Sequence, residues 1–156
     1  MAEMEFRVDD SDSSILLPFS RECTMADGSR SWQPAFLPGD VPKPVGAYSP
    51  AVRAGDFVFI SGQVPVDLKT QKVVSDDFET QTRQTLSNVK AALGVAGATL
   101  DDVVSVIAYL SDMDDWGRFN DIYKETFRAP YPTRTAVGAT LRGFLVEVSA
   151  VAYVRR

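Results

Sequence analysis

Hydrophobic positions recur every second residue in some stretches of this chain and every third or fourth in others, and the switches between the two periods predict its elements. The clearest period of two is at the end. Residues 145–154 are rich in β-branched side chains, which fits a strand with Val146, Val148, Ala150, Ala152 and Val154 on one apolar face. Leu145, Glu147, Ser149, Val151 and Tyr153 make the other, mixed face. Residues 51–53 lead through Ala54-Gly55-Asp56, a turn, into a strand over 57–62 that is apolar on both faces and is expected to be buried on both. Residues 67–71 read as a turn, with a short strand over 72–74. A helical period follows from Asp77 to Ala96: Phe78, Thr82, Leu86, Val89 and Leu93 define one face, and Gly97 stops it. Residues 103–110 are another strand. Asp114 or Asp115 can then cap a second helix whose stripe of Trp116, Phe119, Tyr123 and Phe127 reads as core, and Pro130 and Pro132 end it.

The resulting order is ββ(β)αβαββ, with two helices that can cover only one face of the sheet. The uncovered face would carry hydrophobic side chains beside Glu147, so burial by self-association is expected. Residues 1–44 are different. They hold Pro18, Pro34, Pro38, Pro42 and Pro44 of the nine prolines, an acidic run at Asp9, Asp10 and Asp12, and no sustained period, so they are assigned to an N-terminal extension and 45–156 to the domain. Asp27-Gly28 is a hairpin signal around which residues 19–25 and 31–36 can pair, with Pro34 tolerated only at an edge.

Composition then removes whole classes of chemistry. A chain of 156 residues, 45% hydrophobic, suffices for one domain with a core. It has no apolar run long enough to span a membrane, and its acidic start does not resemble a signal or transit peptide, so a cytoplasmic location is expected. Cys23 is alone, in keeping with a reducing compartment, and reads as an inert thiol. A net charge of -5 argues against nucleic acid as a partner. There is no histidine, which leaves no serine or cysteine triad of the usual kind, no His/Cys zinc site and no zinc-deaminase signature. Phosphate-binding glycine motifs are absent too. Chemistry must come from carboxylates, arginines, hydroxyls, backbone groups and water, and neither metal nor cofactor is expected.

Two charges stand out among the remaining groups. Arg134 lies in Pro132-Thr133-Arg134-Thr135-Ala136-Val137, and Glu147 follows thirteen residues later inside an apolar strand. An unpaired carboxylate among hydrophobic neighbours is costly, so Glu147 calls for a cation, a polar ligand or a subunit interface. Arg134 is a candidate partner, since the 138–144 connection can return the chain beside the 133–137 strand. The pair fits an active site and a purely structural ion pair equally well.

At this point several separated motifs agree with one family. Val45-Gly46-Ala47-Tyr48-Ser49-Pro50-Ala51, Phe59-Ile60-Ser61-Gly62-Gln63-Val64-Pro65, Gln84-Thr85-Leu86-Ser87-Asn88-Val89, Phe119-Asn120-Asp121-Ile122-Tyr123, Pro132-Thr133-Arg134 and Val146-Glu147-Val148 closely resemble the RidA/YjgF family of enamine/imine deaminases, over roughly residues 44–156. The resemblance implies an α+β, chorismate-mutase-like fold, a mixed sheet with two helices on one face. It also implies a homotrimer with helices outside and three pockets at the subunit interfaces. By the same resemblance Arg134 binds a substrate carboxylate and Glu147 positions or activates water. Tyr48 and Ser61 line the pocket. Asn120 matches a polar position of the motif, placed with the substrate-binding group although its role reads as structural.

The implied reaction is metal-independent hydrolysis of a small carboxylate-bearing enamine or imine to a 2-oxo acid and ammonia. Two departures bear on the substrate. Many family deaminases carry a cysteine two residues after the arginine, where this chain has Ala136, whose backbone can still reach the pocket. The extension has no counterpart in compact members and is expected to cross the rim of a pocket or a neighbouring subunit, changing pocket size and specificity. Three readings stay open: a general deaminase of 2-aminoacrylate-type intermediates, a relative dedicated to a larger enamine or imine in one pathway, and a non-catalytic trimer that binds a small carboxylate or regulates through it.

Overall fold

Two helices lie against one side of a six-stranded sheet whose last strand in sequence sits at its centre. The computed structural model describes residues 30–155 except Pro38, Asp40 and Val45. Strands β1 (Gln33–Ala35), β2 (Ala51–Ala54), β3 (Phe57–Gln63), β4 (Val103–Leu110), β5 (Thr133–Gly138) and β6 (Val146–Tyr153) are arranged β1-β2-β3-β6-β4-β5. Every neighbouring pair is antiparallel except β4 and β5, which run parallel. That exception has a simple cause: helix α2 (Trp116–Thr126) carries the chain back between them, as parallel neighbours require. The fold is therefore the expected α+β arrangement with a mixed sheet.

Helix α1 spans Phe78–Val95, and Phe78, Thr82, Leu86, Val89 and Leu93 are all buried, as their spacing predicts. Full burial of each large apolar side chain is worth ~1.5–3 kcal/mol, so tertiary contact rather than propensity holds this helix. Asp77 caps it, accepting from the Thr80 backbone N–H at 2.8 Å, and those hydrogen bonds hold its carboxyl below the ordinary value. The other end closes with Gly97 at φ 75°, where Gly97 N–H donates to Gly94 and Ala98 N–H to Leu93. At α2, Asp115 occupies the cap position without a side-chain cap bond; Asp112 caps the preceding single turn instead.

Several expectations are corrected. Residues 72–74 form no strand, only an isolated bridge between Val66 and Val73. Strand β3 is not buried on both faces: Phe57 and Phe59 are 45% and 46% exposed, because both helices lie on the other side. Residues 33–35 pair with β2, through Pro34 opposite Val52, and form the sheet edge that suits a proline. The proposed partner arm 19–25, the Asp27-Gly28 turn and Cys23 lie outside the described residues. Strand β6 does alternate as predicted, with Val146, Val148, Ala150 and Ala152 buried and Glu147, Ser149 and Tyr153 turned the other way.

Candidate functional site

The site residues divide into two groups, one on each face of the sheet. Arg134 is opposite Val106 in β4, and Val106 is opposite Ala150 in β6; both neighbours are buried, which puts Arg134 on the helix-covered face. Glu147 is opposite Tyr109, on the uncovered face. The 138–144 connection does not bring β6 beside β5, because β4 lies between them. Within one chain, then, Arg134 is not the partner of Glu147. The two strands are two spacings apart, about 10 Å, and the side chains point in opposite directions.

The first group is built on the β5 edge and on α2. The Arg134 Nη2 donates to Asn120 Oδ1 at 2.9 Å. Its guanidinium carbon stands 4.5 Å from the centre of the Tyr123 ring, 5.7 Å from that of Trp116 and 5.8 Å from that of Phe119. Cation–π attraction of this kind is worth ~0.5–2 kcal/mol and orients the planar fork. Phe119, Tyr123 and Phe127 are core, as the stripe predicts, but Trp116 is 43% exposed; Trp116, Phe119 and Tyr123 form a shelf under Arg134. Burial pushes the Tyr123 hydroxyl up to about 12, so it stays neutral beside the cation. No carboxylate lies within ion-pair distance of Arg134 among the described residues. Ala136, half-buried, shares Arg134's face of β5.

The second group is built where β3 ends and β6 begins. Glu147 lies against Gly62: a Cβ at Gly62 would overlap Glu147 Oε1 and stand 2.8 Å from its carboxyl carbon. Gly62 is thus the residue that makes room for the carboxylate. The register between β3 and β6 shifts between Ile60 and Gln63, which is where that room appears. Glu147 has no cation beside it among the described residues, and burial raises its pKa above the ordinary value. Ser61 Oγ donates to the Ser49 carbonyl at 2.7 Å and ties the Tyr48 loop to β3. Tyr48 is half exposed and, with Gly62, lines a cavity of about 450 Å³ whose other wall comes from Phe36, Leu37, Gly39 and residues 41–44.

Buried amides on α1 fix this second group. Asn88 Nδ2 donates to the carbonyls of Val64 and Val66 at 2.9 and 2.8 Å, while its Oδ1 accepts from Gln84. Gln81 Oε1 accepts from the Leu145 N–H at 2.8 Å and its amide nitrogen donates to Ser75, which anchors the chain just before Glu147. Sequence reasoning singled out neither Gly62, Tyr109, Asn88 nor Gln81. A glycine inside a strand pattern and a helical stripe flanked by amides were the available signals.

This arrangement defines a protein with a two-part polar site on a mixed α+β sheet. A model of the Endoribonuclease L-PSP family matches residues 39–154. A RutC family protein of Pyrococcus horikoshii is 46% identical over 116 residues, covering 73% of this chain and 92% of that protein. A 2-iminobutanoate/2-iminopropanoate deaminase of Dermatophagoides farinae is 36% identical over 97 residues, 62% of this chain and 76% of that one. Among solved structures, RidA from the Antarctic bacterium Psychrobacter superposes with a TM-score of 0.70 at 36% identity, covering 76% of this chain and 98% of that one. The chain belongs to this RidA/YjgF/L-PSP family, whose members include imine deaminases.

Proposed function

We infer that this protein hydrolyses a small carboxylate-bearing enamine or imine to a 2-oxo acid and ammonia. The observation that carries the reading is Arg134: a guanidinium held by Asn120 and three aromatic rings, with no carboxylate of its own within reach among the described residues. A planar, oriented fork without a resident anion suits a substrate carboxylate, which it grips through two parallel hydrogen bonds. Glu147, protonated more readily than an ordinary carboxylate and packed against Gly62, next in sequence to Ser61, suits proton transfer. The imine deaminase of Dermatophagoides farinae lends the reaction class.

The enamine tautomerises to its imine, water adds to the electrophilic carbon, and the tetrahedral carbinolamine expels ammonia. Glu147 takes a proton from the attacking water and returns it to the leaving nitrogen, a contribution of ~10²- to 10⁴-fold. Arg134 holds the carboxylate so that the carbon faces that water. Because the two residues face opposite sides of one sheet, a complete site takes Arg134, Asn120 and Ala136 from one chain and Tyr48, Ser61 and Glu147 from another. A homotrimer with interfacial pockets satisfies that requirement.

The test is release of ammonia and 2-oxo acid from enzymatically generated 2-aminoacrylate and 2-iminobutanoate. A hydrogen bond to a charged group is worth ~1.5–3 kcal/mol, so Arg134→Ala should lower kcat/KM by about 10²-fold or more while assembly is kept. Equal turnover by wild type and variant, or loss of assembly in the variant, would remove Arg134 from substrate binding.

A further inference from the structure

The cavity beside Tyr48 and Gly62 is larger than a three- or four-carbon imine needs. Its volume of about 450 Å³ falls in the range of small-ligand sites. Phe36, Leu37, Val41 and Pro44 of the extension face Val64 and Val66 across it. Its amides are already committed to the surrounding chain: Asn88 to the Val64 and Val66 carbonyls, Gln63 to Ser61, and Gln71 to Leu68. What remains to meet a ligand is therefore mainly apolar surface. Lys43 supplies the single charge among the described lining residues.

We propose that this cavity receives the substrate's side chain and that the protein acts on imines of amino acids with bulky apolar side chains, of the leucine or phenylalanine class. The proposal rests on the deaminase reading above, and it adds the extension as the part that sets specificity. Gly62 joins the two regions: it lines the cavity and lies against the Glu147 carboxylate. A side chain seated between the Phe36, Leu37, Val41 and Pro44 wall and β3 would thus leave its imine carbon at the Glu147 end. Phe36 and Leu37 precede the family match, which opens at 39, and Val41 and Pro44 lie at its start, so the apolar wall straddles the edge of the shared domain.

Binding of the product 2-oxo acids separates this proposal from its parent. Calorimetry on the full chain would compare 2-oxobutanoate, 4-methyl-2-oxopentanoate and 2-oxoglutarate. Each buried methylene should tighten binding about fourfold, so the branched acid should bind roughly 15-fold more tightly than 2-oxobutanoate. Val41→Trp, which fills the cavity, should collapse that ratio towards one, and Leu37→Trp provides a second variant should the first fail to fold. A wild-type ratio near one, tighter binding of 2-oxoglutarate, or no binding of any acid would overturn the proposal. Turnover of 2-iminobutanoate and of the imine of leucine is measured alongside: acceleration of either with a ratio near one sinks only the cavity assignment, whereas the expected ratio without acceleration of either sinks the deaminase reading and leaves an apolar carboxylate-binding site.

Discussion

Glu147 carries its charge at a cost that only function or assembly repays. Burial raises its pKa, and no cation among the described residues offsets this. Its folded-state pKa thus exceeds the unfolded one, so the folded chain holds the proton where the unfolded chain has released it. The stability of the dissociated single chain, with no second chain's Arg134 beside Glu147, should fall as pH rises from about 4.5, the ordinary value, through the folded pKa. Glu147→Gln has no such titration. The variant should gain stability relative to wild type across that window and show no extra gain below it, which urea denaturation at a series of pH values reads directly. Turnover should move oppositely: the acid limb of the wild-type profile lies above an ordinary carboxylate, and Glu147→Gln slows the reaction by ~10²-fold or more. Stability curves that run parallel would mean that Glu147 titrates normally, and unchanged turnover would remove it from proton transfer.

At the scale of elements, the described part of the extension contributes β1 and the apolar wall but little of the core. Gln33 and Pro34 are exposed and Ala35 is only half-buried against the core. Deleting residues 1–40 should therefore cost about 1–3 kcal/mol, the net worth of a few edge hydrogen bonds, and leave the helix and sheet signal intact. Collapse of the fold in urea denaturation and circular dichroism would show that β1 is needed to cover the β2 edge. Elements with a strong period were legible in advance: the buried stripe of α1, the alternation of β6 and the limits of β4 follow from spacing alone. Burial of Phe57 and Phe59 was misjudged because an apolar strand does not say which layers cover it. The partner of β5 was misjudged for a related reason, since the 138–144 connection says how β6 follows β5 and not that β4 intervenes. At the site, Arg134 and Glu147 were legible as unusual charges, but their placement on opposite faces depends on register across three strands. Gly62 escaped notice because its importance lies in a contact with Glu147, eighty-five residues away in sequence.

At the scale of the whole molecule, the described residues leave one sheet face uncovered, and that face has the composition of an interface. Phe57, Phe59 and Tyr153 form a cluster, with ring centres 6.3 and 5.3 Å apart, and Ile107 and Val137 extend the apolar surface towards Glu147. Contiguous apolar surface of this kind is costly in water and favours association through the same patch. Association would also bring one chain's Arg134 within reach of another's Glu147, so cover for the apolar face and completion of the site become one event. Light scattering should give a mass about three times the 17.1 kDa of one chain. Phe59→Asp puts a carboxylate in the middle of that surface, where desolvation without a partner opposes burial. The variant should sediment as a single chain, keep its helix and sheet content, and lose turnover although Arg134, Asn120 and Glu147 are all intact. An active single chain would refute the shared site, because it would have to bring together groups that one sheet holds on opposite faces.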